Sequence, residues 1–214
     1  MGQIEFRGVR ITRLNHAAFK LENGGKVIYI DPFQLTSSPK DGNIIICTHD
    51  HYDHCSIEDI QKVIKPNGVI IASINCESKL KILRNEIKLL NPHDQLTVNH
   101  VIVTAVPAYN IKKRYHPRDY KGIGVVIEIA GVRVYHAGDT DLIPEMDYLS
   151  GKVDVALVPI SGVYVMDVEE AIEAIKRVRP ALAIPMHYGA IVGGSQDAER
   201  FRQGLRGICD VVII

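Results

Sequence analysis

The chain is predicted to be an α/β (α+β) protein of mixed β-sheets covered by helices. Its first third alternates short apolar runs with turn residues, and its last third places helical apolar stripes between short apolar runs. With 214 residues and 46% hydrophobic content it can bury a substantial core. No Pro- or Ser-rich linker or charge shift divides it, so residues 1–214 are expected to form a single domain.

Residues 3 to 31 read as an antiparallel meander: Ile11 to Leu14, His16 to Leu21, the turn Asn23-Gly24-Gly25, then Lys26 to Ile30. Residues 43 to 47 are an unbroken apolar run, the pattern of a strand buried on both faces. Ser56, with Asp59 three residues on, resembles a helix cap, and Ile57, Ile60 and Ile64 follow near helical spacing. Further strands are expected at 100–106, 123–130 and 132–136, the last two joined at Ala130-Gly131. Asp167 and Glu170 make a capping box for a helix with Val168, Ala171, Ile172, Ile175 and Val178 on one side, stopped by Pro180. It links strands 153–158 and 181–185. Ser195 is expected to cap a last helix, with Ala198, Phe201 and Leu205 inward and Gly207 ending it before a strand from Val211 to Ile214.

Lys and Arg balance Asp and Glu at 25 each, so there is no global pull toward nucleic acid or an anionic membrane. No apolar stretch reaches the roughly 20 residues of a bilayer span, and Glu5, Arg7 and Arg10 interrupt any signal-peptide core. A soluble, cytoplasmic protein acting on a small molecule is expected, with no nucleic-acid or membrane partner; oligomeric state is not legible. Four cysteines, Cys47, Cys55, Cys76 and Cys209, lack C-x-x-C spacing and read as buried thiols, Cys55 being notable for following His54.

The most informative segment is His49, His51, Asp53 and His54. With nine histidines in the chain, this H-x-H-x-D-H pattern arises by chance about once in a thousand such sequences. Imidazole nitrogen with carboxylate oxygen suits zinc, iron or manganese better than calcium or magnesium. The cluster fills the strand-to-helix connection after residue 47. Asp139 and His187 sit at comparable places, after the strands ending at His136 and at residue 185, where an α/β sheet fixes loop geometry while leaving it accessible.

Ile30-Asp31-Pro32, Thr48-His49-Asp50-His51-Tyr52-Asp53-His54, Gly138-Asp139-Thr140 and Met186-His187-Tyr188, in this order, resemble the metallo-β-lactamase superfamily. Leu14-Asn15-His16-Ala17-Ala18-Phe19 and Tyr52 resemble its branch of small hydrolases similar to ascorbate 6-phosphate lactonase. The resemblance implies a four-layer αββα sandwich of two mixed β-sheets flanked by helices, with one or two divalent metal ions, zinc foremost and manganese or iron as alternatives. It assigns His49 and His51 to a first metal, Asp53, His54 and His187 to a second, Asp139 as a bridge, and Asp31 as a carboxylate behind a ligand histidine. Where the family has a further histidine for the first metal this chain has Asn110; Asn110 and His116 are the candidates to stand in for it, and without either the first site keeps two histidines and the bridge.

The implied chemistry is hydrolysis of a small anionic ester, lactone or phosphoester by a metal-bound hydroxide. Asp53 orients the nucleophile or takes its proton, and His16 is a further catalytic candidate. Lys112, Lys113, Arg114, Arg118 and Lys121 make a basic loop, from which Arg114 and Arg118 are candidates for a substrate anion. No nucleophile elbow, phosphate loop or dinucleotide fingerprint is present. The rival functions are a phosphodiesterase or nuclease, a di-iron redox protein, and a metal-binding regulatory protein.

Overall fold

The computed structural model describes residues 2–214. The chain forms two compact units, one ending at Asn91 and taking in Ile214, the other covering Pro92–Ile213.

In the first unit β1 (Gly2–Phe6), β2 (Val9–Asn15), β3 (Ala18–Asn23), β4 (Lys26–Ile30), β5 (Gly42–Cys47), β6 (Ile64–Ser73) and β7 (Glu86–Leu90) lie side by side in chain order. β1 to β4 pair antiparallel and β4 to β7 parallel. The change follows from the connections. Gly24 and Gly25, both at positive φ, return the chain in two residues, whereas β5 reaches β6 through helix α1 (Ile57–Val63), because a parallel neighbour needs a crossover. A single turn, α2 (Glu77–Leu80), precedes β7.

Ile45, Cys47, Ile70 and Ala72 pack with Ile60 and Val63 of α1 and with Cys55, Cys76 and Leu80. Ile44, Ile46 and Ile71, which point to the opposite face of the sheet, are buried as well, as the unbroken apolar run of β5 predicts. Cys55 thus belongs to the core. Ser56 caps α1 by accepting from Asp59 N–H. Ile64 departs from expectation: it opens β6 in extended conformation instead of continuing the helix, since Pro66 has no N–H and disfavours helical backbone at Lys65.

The second unit repeats the plan. β8 (Gln95–Val98), β9 (Val101–Pro107), β10 (Ile123–Ile129) and β11 (Val132–His136) pair antiparallel, and β11, β12 (Val155–Pro159), β13 (Leu182–Met186) and β14 (Asp210–Val211) parallel. Helix α3 (Val168–Val178) carries the expected capping box, buries Val168, Ala171, Ile175 and Val178, and ends at Arg179 in left-handed conformation before Pro180. In α4 (Ser195–Gly204) the cap is Gly194, one residue earlier than expected, because Asp197 reaches back to accept the Gly194 N–H at 2.9 Å. The closing strand is only Asp210–Val211, shorter and earlier than the 211–214 reading. Among the described residues no helix is long and apolar enough to cross a membrane.

The shared plan puts chemistry at matching places. The turn between the second and third strands carries His16 in the first unit and His116 in the second, and the fourth strand is followed by Asp31 and by Gly138-Asp139.

Candidate metal centre

In the first unit the site is built outward from Asp31. It is fully buried and held at φ 46°, a backbone region that L-residues other than Asn and Asp rarely adopt. Its Oδ1 accepts the Thr48 N–H at 2.8 Å, and its Oδ2 accepts the Thr48 hydroxyl at 2.7 Å and lies 2.7 Å from His54 Nδ1. A carboxylate only accepts, so His54 Nδ1 carries a proton, and in the neutral ring Nε2 is the lone pair.

The same carboxylate sets a second ring. Because the single Thr48 hydrogen is committed to Asp31, Thr48 Oγ1 can only accept from His49 Nδ1, 3.0 Å away. In the neutral ring His49 Nε2 is then the lone pair, and it lies 3.1 Å from His51 Nδ1. Nearby, Asp53 Oδ2 is 3.6 Å from His54 Nε2 and 3.4 Å from His16 Nε2.

The second unit has a comparable set. Asp139 Oδ2 lies 3.2 Å from His187 Nε2 and 3.5 Å from His116 Nε2. Its loop is laced to Tyr109: Thr140 Oγ1 donates to Tyr109 O at 3.0 Å, and Asp141 N–H donates to the same oxygen at 3.0 Å. Gly138 N–H donates to His136 Nδ1 at 3.2 Å, so that buried imidazole is a structural prop for the loop. Ser161 Oγ is 3.1 Å from His187 Nδ1.

These donor sets fit a divalent cation. Ligand bonds of about 2.0–2.1 Å in tetrahedral array put neighbouring ligand atoms about 3.3 Å apart, and the donor pairs within each unit fall at 3.1 to 3.6 Å. His16, Asp31, His116 and His187 all have φ between 46 and 60°, four of the thirteen non-glycine residues at positive φ among the described residues.

The charges of the basic loop are partly paired. Lys113 pairs with Asp141, with Glu170 3.7 Å away. Arg118 pairs with Glu145 at 2.9 Å and lies over the Tyr109 ring. Arg114 is exposed and makes no ion pair among the described residues. His93 and His100 are exposed in turns. Sequence reasoning missed Ser161, Asp141 and Tyr109 as supports; each acts across many residues of chain, and no local pattern marks them.

A family profile described as a beta-lactamase superfamily domain matches residues 10–187. A UPF0173 metal-dependent hydrolase of Thermoplasma acidophilum is 36% identical over 203 residues, covering 87% of this chain and 86% of the relative. Among solved structures, a Parabacteroides distasonis protein is 31% identical with a TM-score of 0.84, over 99% of this chain and 96% of that one. Igni18, a metallo hydrolase of the archaeon Ignicoccus hospitalis, is 26% identical with a TM-score of 0.80, over 96% and 94% of the two chains. The chain belongs to the metallo-β-lactamase superfamily. Within it the protein is a metal-dependent hydrolase, the name its UPF0173 relatives carry, and the expected pair of mixed sheets with helices is the fold it has.

Proposed function

We propose that the chain hydrolyses a small anionic ester, lactone or phosphoester with the help of one or two divalent cations, zinc foremost, for which the first unit offers His49, His51, Asp53 and His54 and the second Asp139 and His187. The observation that carries this reading is the hydrogen bonding behind two rings: Asp31, directly and through Thr48, takes the Nδ1 side of His54 and of His49, so that each neutral ring presents its Nε2 lone pair among further donor atoms. A neutral imidazole whose other nitrogen is held by a carboxylate or hydroxyl is what a metal ligand requires.

When bound, such a cation acidifies water and polarises the oxygen under attack. The chain's own groups then divide the remaining work. Asp53 holds or accepts the proton of the attacking water at Oδ2, with His16 Nε2 at 3.4 Å to fix that oxygen or to pass the proton on. Arg114 is the residue we assign to a substrate anion, because Lys113 and Arg118 are already held by carboxylates.

The test is elemental analysis of the purified protein beside a panel of lactones, aryl esters and a phosphodiester dye, before and after metal stripping. Turnover is expected to vanish on stripping and to return with zinc, manganese or iron, and His51→Ala is expected to abolish both uptake at its site and activity. Turnover that survives stripping overturns the reading.

A further inference from the structure

Asn110 and His116 compete for the place of the missing histidine, and the second unit's hydrogen bonds separate them. Asn110 is buried, and its carboxamide nitrogen donates to Tyr115 O at 2.8 Å and to Tyr164 O at 2.7 Å. An amide nitrogen has two hydrogens, so both are committed, and the 3.3 Å approach of His116 Nδ1 is a contact and not a third bond. Asn110 N–H donates to His116 O at 2.7 Å. The side chain and main chain of one residue thus close residues 110–116 into a loop whose end, His116, is held in left-handed backbone at φ 55°. His116 Nε2 lies 3.5 Å from Asp139 Oδ2, close to the edge length of a shared coordination sphere.

We propose that His116 is the metal ligand and that Asn110 is a positioning residue, acting through its NH2 group and not through its oxygen. This rests on the metal-dependent reading above. Asn110 Oδ1 is buried with no hydrogen-bond partner, which is the observation favouring the opposite assignment and makes the two distinguishable. Orientation of the amide decides for the staple: two main-chain carbonyls hold the nitrogen end, and turning the group would set oxygen against both of them.

Asn110→Asp separates the roles. It keeps an oxygen donor and adds charge, so it preserves or strengthens a ligand, but it removes both donated bonds and puts a carboxylate against two carbonyls. Zinc affinity is read by chelator competition and the ligand field by cobalt(II) absorption, on wild type, Asn110→Asp, Asn110→Ala, His116→Ala and His116→Gln. We expect Asn110→Asp and Asn110→Ala to lose zinc affinity alike, about 10-fold or more, with the cobalt spectrum of Asn110→Asp like that of wild type. His116→Ala and His116→Gln should lose affinity and change the spectrum. Amide exchange at residues 111–115 of the metal-free proteins should quicken in both Asn110 variants and not in the His116 variants. Zinc binding in Asn110→Asp as tight as in wild type while Asn110→Ala is weak, or unchanged affinity in both His116 variants, overturns the assignment. If wild type itself takes up no metal, the function reading falls and the ligand half of the assignment falls with it. The exchange measurement still decides the staple, since unchanged protection in both Asn110 variants overturns it.

Discussion

His54 Nδ1 and Asp31 Oδ2 lie 2.7 Å apart, both side chains fully buried, on residues 23 positions apart in the chain. Asp31 follows β4 and His54 lies in the connection between β5 and α1, and the two strands are parallel neighbours with Ile30 opposite Ile46. The sheet therefore fixes this contact before any metal arrives.

Asp31→Asn should uncouple that pair with little change of shape. Asparagine tolerates the positive φ at this position, but it presents a donor where His54 Nδ1–H needs an acceptor, so the ring turns to the tautomer that protonates Nε2. Metal affinity should fall about 10–100-fold. Unchanged affinity by chelator competition would show that the carboxylate does not set the ligand.

Thr48→Val probes the relay to His49. Valine matches threonine in shape and loses only the hydroxyl that links Asp31 to His49 Nδ1. We expect about 1–2 kcal/mol of lost stability and roughly tenfold weaker metal binding, read by thermal unfolding of the metal-free protein and by zinc titration.

Gly124→Ala should act on Asp139 from the sheet. A β-carbon at Gly124 would stand 2.8 Å from Ala137 O and 3.0 Å from His136 O, both main chain and unable to swing aside. β10 and β11 must part where the Asp139 loop begins. The expected cost is about 1–3 kcal/mol with reduced metal affinity; a variant of unchanged Tm would refute the close approach.

Acid stability of the first unit should depend on Asp59. Burial raises the pKa of this carboxyl, but bonds from Lys62, Ser56 and the Leu35 and Gln34 N–H groups outweigh burial and hold it below the ordinary carboxylate range. A depressed folded-state pKa means the stabilisation is present above the unfolded value near 4 and is lost as pH falls through the lower folded value. Asp59→Asn should therefore destabilise the metal-free protein at pH 7 and converge with wild type in strong acid. Equal destabilisation at both pH values would rule out this linkage.

What could be read from the residues was local or periodic. The H-x-H-x-D-H cluster, the doubly buried strand at 43–47, the glycine turn at 24–25 and the capping box at Asp167 each occupy a few consecutive positions, and each has one physical solution. Ile64 shows the limit: its helical spacing was real, but Pro66 and pairing with Gly42 in the sheet placed it in a strand. In the basic loop the pairing itself was out of reach, because Asp141, Glu145 and Glu170, which hold Lys113 and Arg118, come 27 to 57 residues later.

The amino-acid order by itself determined which donor atoms the protein has and that they follow strands. Only the tertiary structure decided which nitrogen of His49 and of His54 is held by a hydrogen-bond partner, and that Asn110 grips two carbonyls while His116 reaches Asp139. The reason is range. Side-chain chemistry and helix or strand periodicity act over a few residues, whereas a proton's place on a buried ring depends on a partner that another strand brings within 3 Å.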